Sequence, residues 1–278
     1  MLVRLTTKLV RNYPFSKGKG WFTYSSLARY VQKNLGKFEK VKIFDGSYLW
    51  VNPRDYIGAT IFFFRDFDKS ISKLLSNLLI KGDVFVDVGA SYGIESIPCA
   101  KIVGEKGKVI SFEPHKISYN LLCKSVLENK LKNVITMPFA VSSNVETKTL
   151  SVQPNNYGLS SILPYEEGNI SVECVKLDSI KYLLNNKIKI LKIDTEGYEF
   201  EVLKGAKEIF ELNKPDHVII EILPKNTVHL FDREEYKFLT SYGYRGMQIN
   251  KYFSGYKLTD LSKKKISSNS ADYIFSTY

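Results

Sequence analysis

The chain has 278 residues, of which 44% are hydrophobic and 25% charged, a size and composition that suit one α/β domain with an extension and exclude wholesale disorder. Its formal net charge is +11, and its three cysteines, Cys99, Cys123 and Cys174, lack metal-ligand spacing, which excludes zinc-finger and disulfide scaffolds and leaves core thiols. No window reaches the roughly 20 apolar residues of a membrane span, and Met1 to Pro14 reads as no signal peptide, so a cytoplasmic protein is expected.

Residues 1–68 read as an N-terminal α+β extension and residues 69–278 as the main domain. Leu27, Val31 and Leu35 recur at helical spacing within Thr23 to Leu35. Val41–Phe44 and Tyr48–Val51 flank Asp45-Gly46-Ser47, a hairpin signal. Ile61–Phe64 is a short aromatic run, and the whole extension suits a cap on the substrate side. Ile71, Leu74, Leu75, Leu78 and Leu79 then mark an amphipathic helix stopped by Gly82. Beyond it, strand patterns at Val84–Val88, Val109–Phe112, Val134–Phe139, Ile188–Ile193 and Val218–Ile222 alternate with helical ones. The helical segments are Ser96–Val103, Ser118–Asn129, Ser179–Leu184 and Glu199–Leu212, and the alternation predicts a mostly parallel sheet. Tyr244–Ile249 and Asp272–Ser276 read as two further strands.

Chemistry gathers at the predicted strand ends. Asp87-Val88-Gly89-Ala90-Ser91-Tyr92-Gly93 ends a buried apolar run in an acid followed by two glycines, and a Cβ at those glycines would hold a ligand off the backbone. A dinucleotide site prefers G-x-G-x-x-G, with pyrophosphate on the helix N-terminus. Here Asp87 would repel a diphosphate. Glu113 lies at the next strand tip, where an acid accepts ribose hydroxyls. Together these features favour an adenosyl sulfonium, S-adenosylmethionine, over NAD. In Lys192-Ile193-Asp194-Thr195-Glu196-Gly197-Tyr198-Glu199, Lys192 and Asp194 share one strand face, and a buried lysine must be paired or lose its proton. A plain Lys–carboxylate tie between strand and helix is the bland alternative. Glu221 adds another acid at the same sheet edge, and Glu199 suits a helix N-terminus.

D-V-G-A-S-Y-G, F-E-P, A-V-S-S from Ala140, L-D-S-I from Leu177, K-I-D-T-E-G-Y-E and V-L-K-G-A together resemble the FkbM family of S-adenosylmethionine-dependent methyltransferases, from about Lys81 to Leu223. The resemblance implies a Rossmann-like class I fold: a seven-stranded, mostly parallel sheet with helices on both faces and an antiparallel last strand. It implies O-methylation of a sugar, glycan or related metabolite. It places Asp87, Gly89 and Gly93 along the methionine half of the cofactor, with Ser91, Tyr92 and Ser96 close by, Glu113 at the ribose, Ala140 and Val141 near the adenine, and Asp194 beside the methyl. The family more often carries Asn where this chain has Ser91.

Methyl transfer to a hydroxyl needs alignment and removal of one proton. Asp194 or Glu196 is expected to take that proton, Lys192 to ease the oxyanion and Glu221 to position a sugar. No metal is assigned; a divalent ion on Asp194, Glu196 and Glu221 is compatible with their hard oxygens but not favoured. His115, His217 and His229 read as surface or capping residues, and Asn155–Ser161 as a lid, a sugar-contacting loop or a surface loop. The expected partner is a hydroxylated small molecule or glycan. The positive charge and the 18 Tyr and 17 Phe raise an RNA methyltransferase as an alternative, but no RNA-binding module or long basic face accompanies them, and Lys263–Lys265 reads as solvated loop. A non-catalytic cofactor- or glycan-binding protein is the other alternative, and a basic N-terminal helix is compatible with peripheral membrane contact. Oligomeric state is not legible.

Overall fold

The computed structural model describes Val10 and residues 22–153, 156–161, 169–223, 229–252, 255–261 and 272–277, with 156–161 as backbone alone. The expectations for Lys263–Lys265, for Asn155 and for nearly all of Met1–Pro14 lie outside the described residues. Among the described residues no helix is long and apolar enough to cross a membrane.

Helix α1 (Ser26–Lys33) begins at Ser25, whose hydroxyl accepts from the Ala28 N–H. An antiparallel hairpin comes next, β1 (Glu39–Lys42) with β2 (Tyr48–Val51), around the predicted turn at Gly46, where φ is +84°. The aromatic run Ile61–Phe64 is the end of helix α2 (Tyr56–Phe64), buried with Val31, Leu49 and Val51 and, from further along the chain, Tyr92, Ile97 and Leu121. The N-terminal segment therefore shares its apolar core with residues of the main sheet region. Burial of that order, at about 25 cal/mol per Å², is worth ~1.5–3 kcal/mol for each large side chain.

The chain continues through α3 (Lys69–Leu78), β3 (Val84–Val88), α4 (Ser96–Val103), β4 (Lys108–Phe112), α5 (Lys116–Glu128) and β5 (Val134–Met137). After a small sheet it resumes with α6 (Lys181–Asn185), β10 (Ile190–Ile193), α7 (Glu199–Lys204), α8 (Lys207–Asn213), β11 (His217–Glu221), α9 (Glu234–Ser241), β12 (Arg245–Tyr252), β13 (Gly255–Asp260) and β14 (Asp272–Ser276). The main sheet runs β5-β4-β3-β10-β11-β14-β12-β13. The first five are mutually parallel, and β14 lies antiparallel between β11 and β12. Helices cover both faces. Phe85, Val109, Ile190 and Ile219 pack on α3 and α4, while Val86, Ile110, Leu191 and Val218 pack on α7 and α8.

The expected seven strands are eight. The extra edge, β13, pairs with β12 and puts Tyr256 and Leu258 against the α3 side of the core, while Ser70 of α3 donates to the Gly255 carbonyl. The predicted helix over Glu199–Leu212 is two helices, because Gly205 packs against β6 (Ala140–Val141) and its exit: a Cβ there would sit 2.0 Å from the Ser142 carbonyl oxygen. The connection after β5 holds a second sheet, ordered β6-β9-β7-β8, from β6, β7 (Glu146–Gln153), β8 (Asn156–Ser161) and β9 (Asn169–Val175). The stretch read as a lid or loop is thus, from Asn156 onward, a paired strand.

Candidate active site

Strand order reverses between β3 and β10, and ligands of open α/β sheets bind over the strand ends at such a switch point. A cavity of about 250 Å³ opens there, lined among others by Gly89, Ser91, Glu113, Asp194, Glu196 and Glu221. Ile57 and Phe67 from the N-terminal segment and Leu150 from β7 contribute apolar lining.

The glycines after β3 serve the protein's own packing. Gly89 has φ +84°, and a Cβ on it would lie 1.9 Å from the Asp194 carbonyl oxygen. Gly93 has φ +85°, and its Cβ would meet Leu122 at 2.6 Å. Close contact with the β10 tip and α5 thus stands as a reason for these glycines beside the ligand access read from sequence, and Gly89 lines the cavity. Ser91 between them adopts φ 47°, a left-handed conformation that Asn tolerates better than most residues. Its N–H donates to Glu113 Oε2 at 2.7 Å, and the His115 N–H donates to Oε1 at 2.8 Å. Burial pushes the Glu113 carboxyl up to about 7 against these two backbone donors. Glu113 lines the cavity with Phe139, Ala140 and Val141, a carboxylate beside apolar wall of the kind a nucleoside requires.

Asp87, Tyr92, Gly93 and Ser96 do not line this cavity. Asp87 is fully buried: its Oδ2 accepts from Ser96 Oγ at 2.5 Å, its Oδ1 lies 3.3 Å from Lys192 Nζ, and Ser96 Oγ reaches Ser111 Oγ at 2.8 Å. Tyr92 points into the N-terminal core and donates to Asp55 Oδ2. Lys192 Nζ is also 3.3 Å from Asp194 Oδ2. Burial opposes its charge, but Asp194, Asp87 and Glu95 outweigh burial and hold the ammonium well above its ordinary pKa. Of the two sequence readings of this lysine, the geometry is that of the paired one.

Beyond β10, the loop carrying Glu196 turns through φ 55° at Glu196 and 100° at Gly197. Glu199 pins it: fully buried, it accepts through Oε1 from the Thr195 N–H and hydroxyl and from the Gly197 N–H. Its task is to shape the loop, more than to balance a helix dipole. Oxygens of Asp194, Glu196 and Glu221 lie within 4.8 Å of one another, close enough to share one hard cation. Burial, then the neighbouring carboxylates, raises Glu196 to about 7 and Glu221 to about 8.

Four charged lining groups, Asp68, Glu95, Lys251 and Asp272, had no site role in the sequence reading. Glu95, buried just after the glycine turn, is pushed up to about 8, by burial first. An acid beside Ile94, at the head of an apolar helix, was the available signal. Lys251 bridges Asp68 and Asp272 at 2.6 Å each, and nothing local marks a lysine whose partners lie so far along the chain. The histidines are displaced from the cavity lining. His115 stands at the N-cap of α5, a capping position, but is buried and not on the surface, with Nδ1 2.9 Å from Ser118 Oγ and a pKa lowered by burial to about 4. His217 pairs with Ser276 at the opposite strand end, and His229 is exposed. Cys99 and Cys174 are buried as expected, while Cys123 is half-buried beside Thr136.

The Methyltransferase FkbM domain matches residues 87–245. The methyltransferase sdnD of Sordaria araneosa is 30% identical over 52% of this chain and 66% of its own, and the hexuronic acid methyltransferase AglP of Haloferax volcanii 26% over 56% and 62%. The chain thus spans just under two thirds of these relatives' lengths. The crystal structure of a methyltransferase FkbM from Methylobacillus flagellatus shares 18% identity over 72% of this chain and 47% of that one, with a TM-score of 0.45. With more than half of its length matched and a doubly wound sheet closed by an antiparallel last strand, the chain belongs to the FkbM family of S-adenosylmethionine-dependent methyltransferases.

Proposed function

We propose that this chain transfers a methyl group to a hydroxyl of a sugar or related polyol. The supporting observation is the convergence of Asp194, Glu196 and Glu221 beside the paired Lys192, at a cavity on the switch point. S-adenosylmethionine, when bound, supplies an electrophilic methyl carbon on a cationic sulfur that leaves as a neutral thioether. Gly89, Ser91 and Glu113, with Ala140 and Val141, are the residues to hold it. Asp87 and Ser96 would act behind them by fixing Lys192, and Tyr92 and Gly93 by fixing the turn. With the cofactor held there, Asp194, Glu196 and Glu221 would align the acceptor hydroxyl with that methyl carbon. The hydroxyl proton passes to Asp194 or Glu196. Correct protonation of such a base is worth ~10²–10⁴-fold in rate. Residues 1–68 would form a cap on the acceptor side, since Ile57 and Phe67 line the cavity.

Calorimetric titration with S-adenosylmethionine and S-adenosylhomocysteine tests this reading. Micromolar binding of both is expected, with Asp194→Asn costing turnover far more than cofactor affinity. Failure of both to bind would sink it.

A further inference from the structure

Asp87, the acid in the apolar run of β3, is closed off from the cavity by its own partners. Ser96 donates to its Oδ2 and Lys192 stands at its Oδ1, with the side chain fully buried. Past the glycine turn, Glu95 is in the opposite position. It lines the cavity at 7% exposure. It occupies the N-cap place of α4 but makes no capping hydrogen bond. Among the described residues its carboxylate receives no hydrogen bond and enters no ion pair. Lys192 acts on it only from beyond ion-pair reach, and is itself shared between Asp87 and Asp194. A carboxyl at such depth is normally hydrogen-bonded, and burial, before any neighbour, holds this one up at about 8.

Its place in the fold says what would complete it. With the ribose at Glu113 on β4 and the methyl at Asp194 on β10, the glycine turn after β3 lies between the two. The sulfur of S-adenosylmethionine bears three arms: the adenosyl group, the methyl, and an amino-acid chain carrying an ammonium and a carboxylate. The wall left for the third arm is where α3 meets the turn. Asp68 and Ile71 line the cavity there with Ile94 and Glu95. Ser72 and Leu75 of α3 join the same Ile94 and Glu95 in lining an adjoining cavity of about 330 Å³. Asp68 on this wall already caps α3 and holds Lys251. Resting on the methyltransferase reading, we infer that Glu95 takes the ammonium of the cofactor's amino-acid arm, the task that the motif gives by position to Asp87. Asp87 acts behind it, holding the Lys192 that stands beside Asp194. Charge-assisted hydrogen bonds of this kind are about twice as strong as neutral ones.

The test is calorimetric titration of the full chain at pH 8.5 with S-adenosylhomocysteine and with its deamino analogue, which lacks only the ammonium. Wild type is expected to bind S-adenosylhomocysteine at least tenfold more tightly than the analogue. In Glu95→Gln that ratio should fall towards one, and Glu95→Ala gives the same readout should the first variant fold poorly. In Asp87→Asn the ratio should persist, because Asp87 does not line the cavity. Equal affinities in wild type, or a ratio that Glu95→Gln leaves unchanged, would overturn the assignment. So would a ratio lost in Asp87→Asn and kept in Glu95→Gln. Failure of both compounds to bind wild type would instead overturn the methyltransferase reading on which it rests.

Discussion

Lys192 and Asp87 stand opposite each other on adjacent parallel strands, in register, with Nζ 3.3 Å from Oδ1. Lys192 lines the cavity, and Asp87 lies behind it. Taking one charge from a buried pair leaves the other poorly compensated, at a cost of about 3–5 kcal/mol. Since Lys192 keeps Asp194, the lower end applies, and Asp87→Asn should lose about 3 kcal/mol in denaturant unfolding. A variant as stable as wild type would show that Lys192 does not depend on Asp87.

Ser91 holds a left-handed backbone that its side chain does little to favour. Asn suits that region better, and Ser91→Asn should raise the unfolding free energy by about 0.5 kcal/mol. A thermal melt that falls instead would mean that the longer side chain collides in the turn.

Glu196, also left-handed at φ 55°, pairs strain with a chemical task. Such outliers cost on the order of 1–3 kcal/mol and cluster at functional sites. Glu196→Asn should therefore be more stable by about 1 kcal/mol and slower by roughly 100-fold. A variant that is both less stable and equally fast would remove Glu196 from the proposed machinery.

The crowded acids set a pH dependence. The folded-state pKa of Glu221, raised to about 8 by burial and then by Asp194 and Glu196, lies above its unfolded value near 4.5. Its neutral form stabilises the fold fully below pH ~4.5, and that contribution fades as pH rises through about 8. Glu221→Gln should melt higher than wild type at pH 8.5 and equally at pH 4. Methyl transfer by wild type should rise across pH 6 to 8 as the cluster ionises. A flat melting difference between the two pH values would show that Glu221 is not held neutral.

The sheet and its strand-tip acids were readable because both are local. A buried strand writes a continuous apolar run, and Asp87, Glu113, Asp194 and Glu221 each interrupt or end one. What those acids touch was not readable. Asp87 was placed against the cofactor by its position in the motif, whereas the partner that occupies it, Lys192, is 105 residues away. The small sheet was missed because Glu146-Thr147-Lys148-Thr149 has no apolar alternation and earns its strand by pairing with β9. The edge strand β13 was missed because its apolar neighbours come from α3, almost two hundred residues earlier.

Asp68 closes α3 at its start by accepting from the Ser70 and Ile71 N–H groups, and also holds Lys251 beside Asp272. That one carboxylate ties the start of α3 to β12 and, through Lys251, to β14 at the cavity lining. A protein expressed from Lys69 onward would lose the helix cap and hand Lys251 wholly to Asp272. The cut that looks natural between extension and domain would so rearrange the charges beside Glu221, and any comparison of truncated with full-length enzyme would measure that change along with the missing cap.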